Sequence, residues 1–178
     1  MLSHPLSAEA ELQLIGPQHA EPLFGLIDQN RAHLRQWLAW VDDIQSVDDE
    51  RQFVQRSADR LASNGAFHCA IMHRGVLAGT IGLHDIDHAN RKAEIGYFLA
   101  VEYQGKGLMT LACRAVTEHL FSDLKLHRAI IFCGTENRRS RAIPERLGFK
   151  LEGIHRDAEW IRDHFVDLAC YAKLATHA

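Results

Sequence analysis

The fold class depends on one stretch of sequence, Tyr103-Gln104-Gly105-Lys106-Gly107-Leu108-Met109-Thr110, which lies between a predicted strand and a predicted amphipathic helix. Its two glycines allow a tight turn and a close approach of the backbone to a ligand. The free N–H groups at the start of the helix and the helix dipole together favour binding of a pyrophosphate. A glycine-rich turn that binds no ligand is the alternative interpretation of the same residues.

Two familiar phosphate-binding motifs do not fit this stretch. A Walker P-loop requires Ser or Thr directly after Gly-Lys, whereas Lys106 is followed by Gly107. A dinucleotide-binding fingerprint requires a third glycine where Thr110 stands, and it belongs near the first strand of its unit. The stretch therefore predicts a phosphate-binding loop of another kind.

Hydrophobic periodicity on either side of this loop predicts an α/β chain with a mixed sheet. The first predicted helix begins at Gly16-Pro17. Four further helices are predicted over residues 31–40, 46–64, 105–122 and 137–148. Three consecutive strands in the middle of the chain argue against a doubly wound sheet. We expect one domain over residues 1–178. The predicted strands cover residues 11–15, 66–73, 76–84, 93–99, 128–133, 150–161 and 165–174.

Composition excludes several classes of partner. The formal net charge of -3 gives no general drive toward nucleic acid or an anionic membrane. No apolar run is long enough to span a bilayer, and the N-terminus does not resemble a signal peptide. The 4 cysteines form no C-x-x-C pair, which is typical of reduced thiols. We therefore expect a cytoplasmic protein.

Several motifs in the same order resemble the GNAT acetyltransferase superfamily. Its loop, Q/R-x-x-G-x-G/A, corresponds to Gln104, Gly107 and Met109, of which Met109 departs from the small final residue. The resemblance implies a GNAT fold, with a mostly antiparallel mixed sheet of about seven strands flanked by helices, and acetyl-CoA as cosubstrate. The other matching motifs are Ala93-Glu94-Ile95-Gly96-Tyr97, Asn137-x-x-Ser140 and Leu147-Gly148-Phe149. The resemblance implies cofactor contacts at Ile95, Tyr97, Leu99, Gln104, Gly105, Lys106, Gly107, Leu108, Met109, Thr110, Asn137 and Ser140.

Gly96 is a glycine inside a predicted strand. Such a glycine often marks a bulge or the close approach of a ligand. In this family the resemblance implies a bulged, splayed strand whose N–H binds the thioester carbonyl. That contact would stabilise an oxyanion with a backbone donor that is already in place.

Acetyl transfer also needs a proton or equivalent stabilisation for the departing thiolate. The tyrosine that many relatives appear to use would fall at Pro144, so Ser140 is the obvious replacement. A hydroxyl that only caps the helix is the alternative role for Ser140. Pro144 has no N–H for the carbonyl of Ser140, so we expect a local distortion of that helical turn.

Two carboxylates are candidate bases for the acceptor amine, Glu159 first and Glu94 second, although a strand glutamate commonly faces solvent. Trp37-Leu38-Ala39-Trp40 and Ala158-Glu159-Trp160 sharpen the resemblance, because they are similar to segments of the ribosomal-protein serine N-acetyltransferases. That resemblance implies a protein N-terminal amine as acceptor, a homodimer, and Glu159 as base. Trp37 and Trp40 are predicted to share a helix face, as core residues or as an aromatic wall of the acceptor site.

Other patterns carry weaker hypotheses. His84-Asp85-x-Asp87-His88 could ligate a metal by residue type, but no other cluster supports it and a polar loop is expected, so we predict no metal. Arg138-Arg139-x-Arg141 could attract the 3′-phosphate of CoA or could be solvated surface charge. Two alternatives to an enzyme that acetylates a protein remain. One is an enzyme that acetylates a small amine, and the other is a CoA-binding sensor without catalysis.

Overall fold

Eight strands form a single mixed sheet in the computed structural model, which describes residues 3–175. Their order across the sheet is β1-β2-β3-β4-β5-β6-β8-β7, and only β5 and β6 run parallel to each other. The predicted mixed α/β sheet is confirmed, and the sequence missed only the short β1. The strands are β1 Ser3–Pro5, β2 Ala10–Leu14, β3 His68–His73, β4 Val76–Asp87, β5 Lys92–Leu99, β6 Arg128–Gly134, β7 Lys150–Ile161 and β8 His164–Leu174.

Helices cover both faces of the sheet. The first two, α1 Ala20–Leu34 and α2 Val47–Asn64, contribute Leu23, Ile27 and Val54 to one buried hydrophobic cluster. The other two, α3 Leu108–Ser122 and α4 Arg138–Arg146, contribute Leu108, Val116 and Ile143 to a second cluster. Side chains alternate between these clusters along β5, because successive residues of a strand point to opposite faces. None of the described helices is both long and apolar enough to cross a membrane.

Capping residues in the sequence correctly predicted where two of the helices begin. Ser46 caps α2 by accepting a hydrogen bond from the N–H of Asp49, whose carboxylate accepts one from the N–H of Ser46 at 2.8 Å. This reciprocal pair is the predicted capping box. Asn137 caps α4 by accepting a hydrogen bond from the N–H of Ser140 at 3.1 Å.

The helix predicted over residues 31–40 is wrong. Residues 31–34 belong to the end of α1, and Ala39–Asp43 forms a 3₁₀-helix after an extended residue at Leu38. The guanidinium of Arg31 donates to the carbonyls of Val41 and Ile44, at 2.6 and 2.8 Å, and thereby folds this segment back onto α1. Trp37 and Trp40 therefore do not share a helix face.

Two further boundaries differ from the prediction. Helix α3 begins at Leu108 rather than near Gly105, because Gly105 and Gly107 have φ angles of 75° and 77° that a right-handed helix does not contain. Residues 85–87, expected in a polar loop after the predicted strand, continue β4. The pairing of β4 with β5 shifts register between Leu83 and Ile86, which places a bulge on β4 at His84 and Asp85.

The parallel pair β5 and β6 separates soon after it forms. Only three residue pairs join the two strands, and the last is Glu94 with Ile130. Beyond that pair β5 remains bonded to β4, and β6 remains bonded to β8. A wedge-shaped gap therefore opens in the middle of the sheet, between residues 95–99 and residues 131–134.

Glu50 is a buried carboxyl group on α2, only 2% exposed, and its Oε2 has no hydrogen-bond partner among the described residues. Burial raises the pKa of Glu50 to about 7, and repulsion from Asp49 adds to this effect. The folded protein therefore holds a proton on Glu50 that the unfolded chain releases at lower pH. The free energy of unfolding of the protein should therefore fall as the pH rises from about 4.5 to about 7.

We expect Glu50→Gln to remove this loss, because the amide stays neutral at every pH. The variant should gain up to about 3 kcal/mol over the wild type at pH 8, and much less at pH 4. Urea unfolding across this pH range measures the difference, with Glu118→Gln at an exposed position of α3 as the control. A stability difference between Glu50→Gln and wild type that does not change with pH would contradict the expectation.

Candidate active site

The gap between β5 and β6 forms the centre of a cavity of about 1890 Å³. It is lined by residues of the glycine loop and the start of α4, and by residues of α1, α2 and β7. The cavity thus brings together all of the predicted site residues except Lys106, which does not line it. The predicted residues that line it are Trp37, Trp40, Glu94, Ile95, Tyr97, Leu99, Gln104, Gly105, Gly107, Leu108, Met109, Thr110, Asn137, Ser140 and Glu159.

The glycine loop has the geometry of an anion site. Gly107 is the N-cap of α3 and has a left-handed backbone conformation, so no side chain caps the first N–H groups of the helix. A Cβ built on Gly105 or Gly107 would meet no atom within 4 Å, so the space beside the loop is open. Met109, which departs from the family pattern, is buried in the hydrophobic core, where its size is accommodated.

Gln104 is held from two sides at the entrance to this loop. Its amide nitrogen lies 2.9 Å from Nε2 of His33, and its Oε1 accepts a hydrogen bond from Arg139 at 2.5 Å. Burial and the charge of Arg139 lower the pKa of His33, which keeps the imidazole neutral and able to accept from Gln104. Lys106 points away to the ring of Tyr103, with its Nζ 5.0 Å from the ring centroid.

On the α4 side of the gap, Tyr97, Ser140 and Cys133 form a polar cluster. The hydroxyl of Tyr97 donates to the backbone carbonyl of Ser140 at 3.2 Å. This is the carbonyl that Pro144 cannot serve, so Tyr97 supplies the hydrogen bond that the helix lacks. The hydroxyl of Ser140 lies 3.2 Å from Sγ of Cys133 and 3.4 Å from the hydroxyl of Tyr97. Burial raises the pKa of both Tyr97 and Cys133, so both stay protonated near neutral pH.

On the opposite side of the gap, Gly96 does not form the expected bulge. Gly96 pairs in regular register with Gly82, and the bulge lies on the neighbouring strand at His84. A Cβ at Gly96 would fall far inside van der Waals contact with Nε2 of His84, so the missing side chain makes room for this imidazole. Nδ1 of His84 lies 3.2 Å from a carboxylate oxygen of Glu94. The splaying of β5 that the resemblance implied is confirmed.

Glu159 reaches the same side from β7. The pairing of β7 with β8 shifts register between His155 and Glu159, and the N–H of Asp157 donates to a carboxylate oxygen of Asp167 at 2.8 Å. This irregularity turns Glu159 toward the cavity. Burial raises the pKa of Glu159, repulsion from Glu94 raises it further, and His84 opposes both effects.

Aromatic side chains surround these polar groups. Trp40 packs against Phe98 with ring centroids 5.6 Å apart, and a Cβ on Gly134 would lie 3.6 Å from the indole of Trp37. Both tryptophans line the cavity although neither is in an α-helix. Sequence patterns gave no reason to select Phe98, His33 or Phe132, because their positions in the cavity depend on contacts between distant segments.

The segment considered for metal binding serves other purposes. His84 faces Glu94, Asp87 binds Asn90, and His88 lies 2.7 Å from the carbonyl of Asn64. Within residues 3–175, no group of three or more His, Cys, Asp or Glu side chains is arranged to hold a metal ion. Two arginines of the motif Arg138-Arg139-x-Arg141 have partners within the protein. Arg141 donates to the hydroxyl of Tyr171 and to the carbonyl of Thr135, and Arg139 donates to Gln104.

Known proteins resemble this chain over nearly its whole length. The family model described as "Acetyltransferase (GNAT) domain" matches residues 11–150. YdaF, a putative ribosomal N-acetyltransferase of Bacillus subtilis (strain 168), is 37% identical over 175 residues, which is 98% of this chain and 96% of YdaF. A ribosomal-protein-serine acetyltransferase of Escherichia coli (strain K12) is 33% identical over 169 residues, which is 95% of this chain and 94% of that protein.

A solved structure agrees with these relatives. RimL, a ribosomal alpha-N-protein acetyltransferase in complex with coenzyme A, superposes with a TM-score of 0.93 at 29% identity, covering 97% of both chains. The chain belongs to the GNAT acetyltransferase family, and it is an acetyl-CoA-dependent N-acetyltransferase.

Proposed function

We propose that this enzyme acetylates the N-terminal α-amine of a protein, and that the acceptor is a ribosomal protein. One observation carries the proposal: a single cavity at the gap in the sheet is lined both by the glycine loop and by Glu94 and Glu159. The amine and the thioester can therefore meet inside the gap without a covalent enzyme intermediate. The names of the relatives from Bacillus subtilis and Escherichia coli support a ribosomal protein as acceptor.

In this proposal the CoA pyrophosphate lies over residues 104–110, held by backbone N–H groups at the start of α3. The thioester then extends along β5, where a backbone N–H on the side of the strand that has left β6 stabilises the oxyanion that forms during attack, whereas Gly96 itself stays paired with Gly82. Ile95 contributes its backbone rather than its side chain, which is 1% exposed and part of the core. Asn137, the cap of α4, keeps the hydroxyl of Ser140 at the same gap.

Ser140 donates a hydrogen bond to the departing thiolate. Its hydroxyl is already directed at a sulfur, Sγ of Cys133 at 3.2 Å, and a thiolate in the gap would compete for the same proton. Glu159 removes a proton from the acceptor ammonium group, since a half-buried carboxylate with a raised pKa accepts a proton more readily than an exposed one. Trp37 and Trp40 form the wall against which the acceptor packs.

The chain acts as a homodimer in the cytoplasm in the same proposal. The hairpin of β7 and β8 at the edge of the sheet exposes large apolar side chains, including Trp160 of β7 at 51% and Phe165 of β8 at 56%, which a second subunit could cover. The described cysteines are free and buried, which suits a reducing compartment. A single-subunit mass in solution would contradict the dimer.

The acceptor class is tested by acetyl-CoA turnover on a panel of amines. The panel contains a peptide with N-terminal Ser, the same peptide with a blocked N-terminus and one internal Lys, a polyamine and a free amino acid. We expect turnover on the free Ser-starting peptide alone. Turnover confined to the polyamine or the amino acid would establish a small-molecule acetyltransferase, and no turnover with retained CoA binding would establish a sensor.

Gly107→Ala tests the position of the pyrophosphate. A methyl group would enter the open space beside the loop, so CoA affinity measured by calorimetry should fall at least about tenfold, or about 1.4 kcal/mol. Gly75→Ala is a matched control, because Gly75 has a φ angle of 76° against 77° for Gly107 and also has open space around it. Equal CoA affinity in both variants would show that the pyrophosphate lies elsewhere.

Ser140→Ala tests the leaving-group contact. We expect kcat to fall by about 10-fold or more, with little change in acetyl-CoA affinity, because the hydrogen bond strengthens as the thiolate forms. Ser122→Ala, which removes a hydroxyl at the far end of α3, is the control. A kcat within about twofold of wild type, small beside the effects typical of acid–base catalysis, would assign this contact to another group.

Glu159→Gln tests whether Glu159 deprotonates the acceptor ammonium group. The measurement is the pH dependence of the rate. An α-ammonium group has a pKa of about 7.7–8.0, so more of the acceptor is already neutral as the pH rises. The variant should lose most activity near pH 6.5 and recover part of it near pH 9. Glu152→Gln, on the same strand and paired with Arg128, is the control. A variant profile parallel to wild type at every pH would exclude Glu159 as this base.

A further inference from the structure

His84 is aimed into the cavity by a bulge that α2 holds in place. Arg60 on α2 donates to the carbonyl of His84 at 3.1 Å, and Asn64 donates to the carboxylate of Asp85 at 3.1 Å. A bulge of this kind commonly redirects a side chain next to an active site. Here it brings Nε2 of His84 over the backbone of Gly96, at the edge of the gap where β5 leaves β6.

Glu94 determines which nitrogen of His84 is free. Its carboxylate lies 3.2 Å from Nδ1, on the side of the ring away from Gly96. A carboxylate at this distance favours the tautomer with the proton on Nδ1 and leaves Nε2 as an acceptor. Glu94 is therefore engaged with His84, which makes it a positioning residue rather than an independent base.

Residues of several neighbouring elements surround His84. His68 of β3 lies next to it with ring centroids 6.2 Å apart, and burial lowers the pKa of His68 to about 4, so this neighbour is neutral. Ser57 of α2 contacts Nδ1 of His68 at 3.2 Å and fixes its ring. Among the residues that the structure describes, the charged groups that face His84 are Arg60 from α2, Glu94 from β5 and Glu159 from β7.

The reaction itself removes two protons from the acceptor nitrogen. An ammonium group must lose one proton to become a nucleophile, and the nitrogen must lose a second once the C–N bond has formed and the C–S bond breaks. One of these protons ends on the CoA sulfur and the other is released to solvent. A single base would have to discharge its proton in the middle of each turnover.

We propose that His84, positioned by Glu94, accepts at Nε2 the second proton, which the nitrogen loses after it has attacked the thioester. This rests on the proposed function, in which Glu159 takes the first proton. The imidazole side chain is 54% exposed, so it can then pass the proton to water. Histidine suits this step because it both binds and releases protons near neutral pH.

The test compares pH–rate profiles of wild type, His84→Ala and Glu159→Gln on the best acceptor of the amine panel. His84→Ala should lower kcat about 100-fold, and the loss should persist near pH 9.5, because neutralising the free amine does not remove the second proton. Free imidazole should restore activity at least about 10-fold, since the variant leaves space over Gly96 for it. A merely structural histidine would not respond in this way.

Matched variants separate the possible outcomes. His164→Ala removes an imidazole of equal exposure, 55%, that is paired with Asp163 at 2.8 Å outside the cavity, and it should keep wild-type kcat with no response to imidazole. Glu94→Gln should lower kcat and shift the ¹⁵N signals of His84 away from the Nδ1–H tautomer. A small amine as the best acceptor would overturn the proposed acceptor class. The test of His84 would still apply, because every primary amine loses two protons when it is acetylated.

The proposal for His84 is overturned by any of three results. The first is a kcat for His84→Ala within about twofold of wild type. The second is a loss of activity that imidazole does not restore. The third is a recovery at high pH as large as that of Glu159→Gln, which would place His84 at the first deprotonation. A wild type inactive on every amine would overturn both the proposed function and this role.

Discussion

The separation of β5 from β6 after Glu94 and Ile130 is the constraint on which the site depends. A continuous sheet would place paired backbone where the reaction occurs and would keep its two faces apart. Because the strands diverge, Tyr97 and Ser140 approach the gap from one face, and His84 approaches it from the other. In the proposed function, the two substrates enter from opposite faces of the sheet and meet at one point.

Pro144 shows how a helix defect can become part of the site. A buried carbonyl without a partner costs about 1–3 kcal/mol, and the proline leaves the carbonyl of Ser140 in that position. Tyr97 removes the cost by donating from β5, so the hydrogen bond that should hold α4 together instead ties α4 to the edge of the gap. The expected distortion is therefore compensated, and the same contact fixes Ser140 beside Cys133.

Sequence patterns predicted the features that neighbouring residues determine. The capping box at Ser46, the cap at Asn137 and the glycine loop each depend on a few consecutive residues. The features that the sequence patterns missed depend on contacts between residues that are far apart in the chain. The 3₁₀-helix at Ala39–Asp43 depends on the reach of Arg31 across 10 and 13 residues. The bulge at His84 depends on β5 and α2 together, so its residues resembled a polar loop or a metal site.

The close approach of His84 to Gly96 has a consequence for how this site can evolve. Any residue other than glycine at position 96 would place a carbon atom where the imidazole now lies, and a backbone shift would disturb the pairing with Gly82. The two positions must therefore change together. Lineages that keep the imidazole must keep the glycine, whereas loss of the imidazole frees position 96 to acquire a side chain.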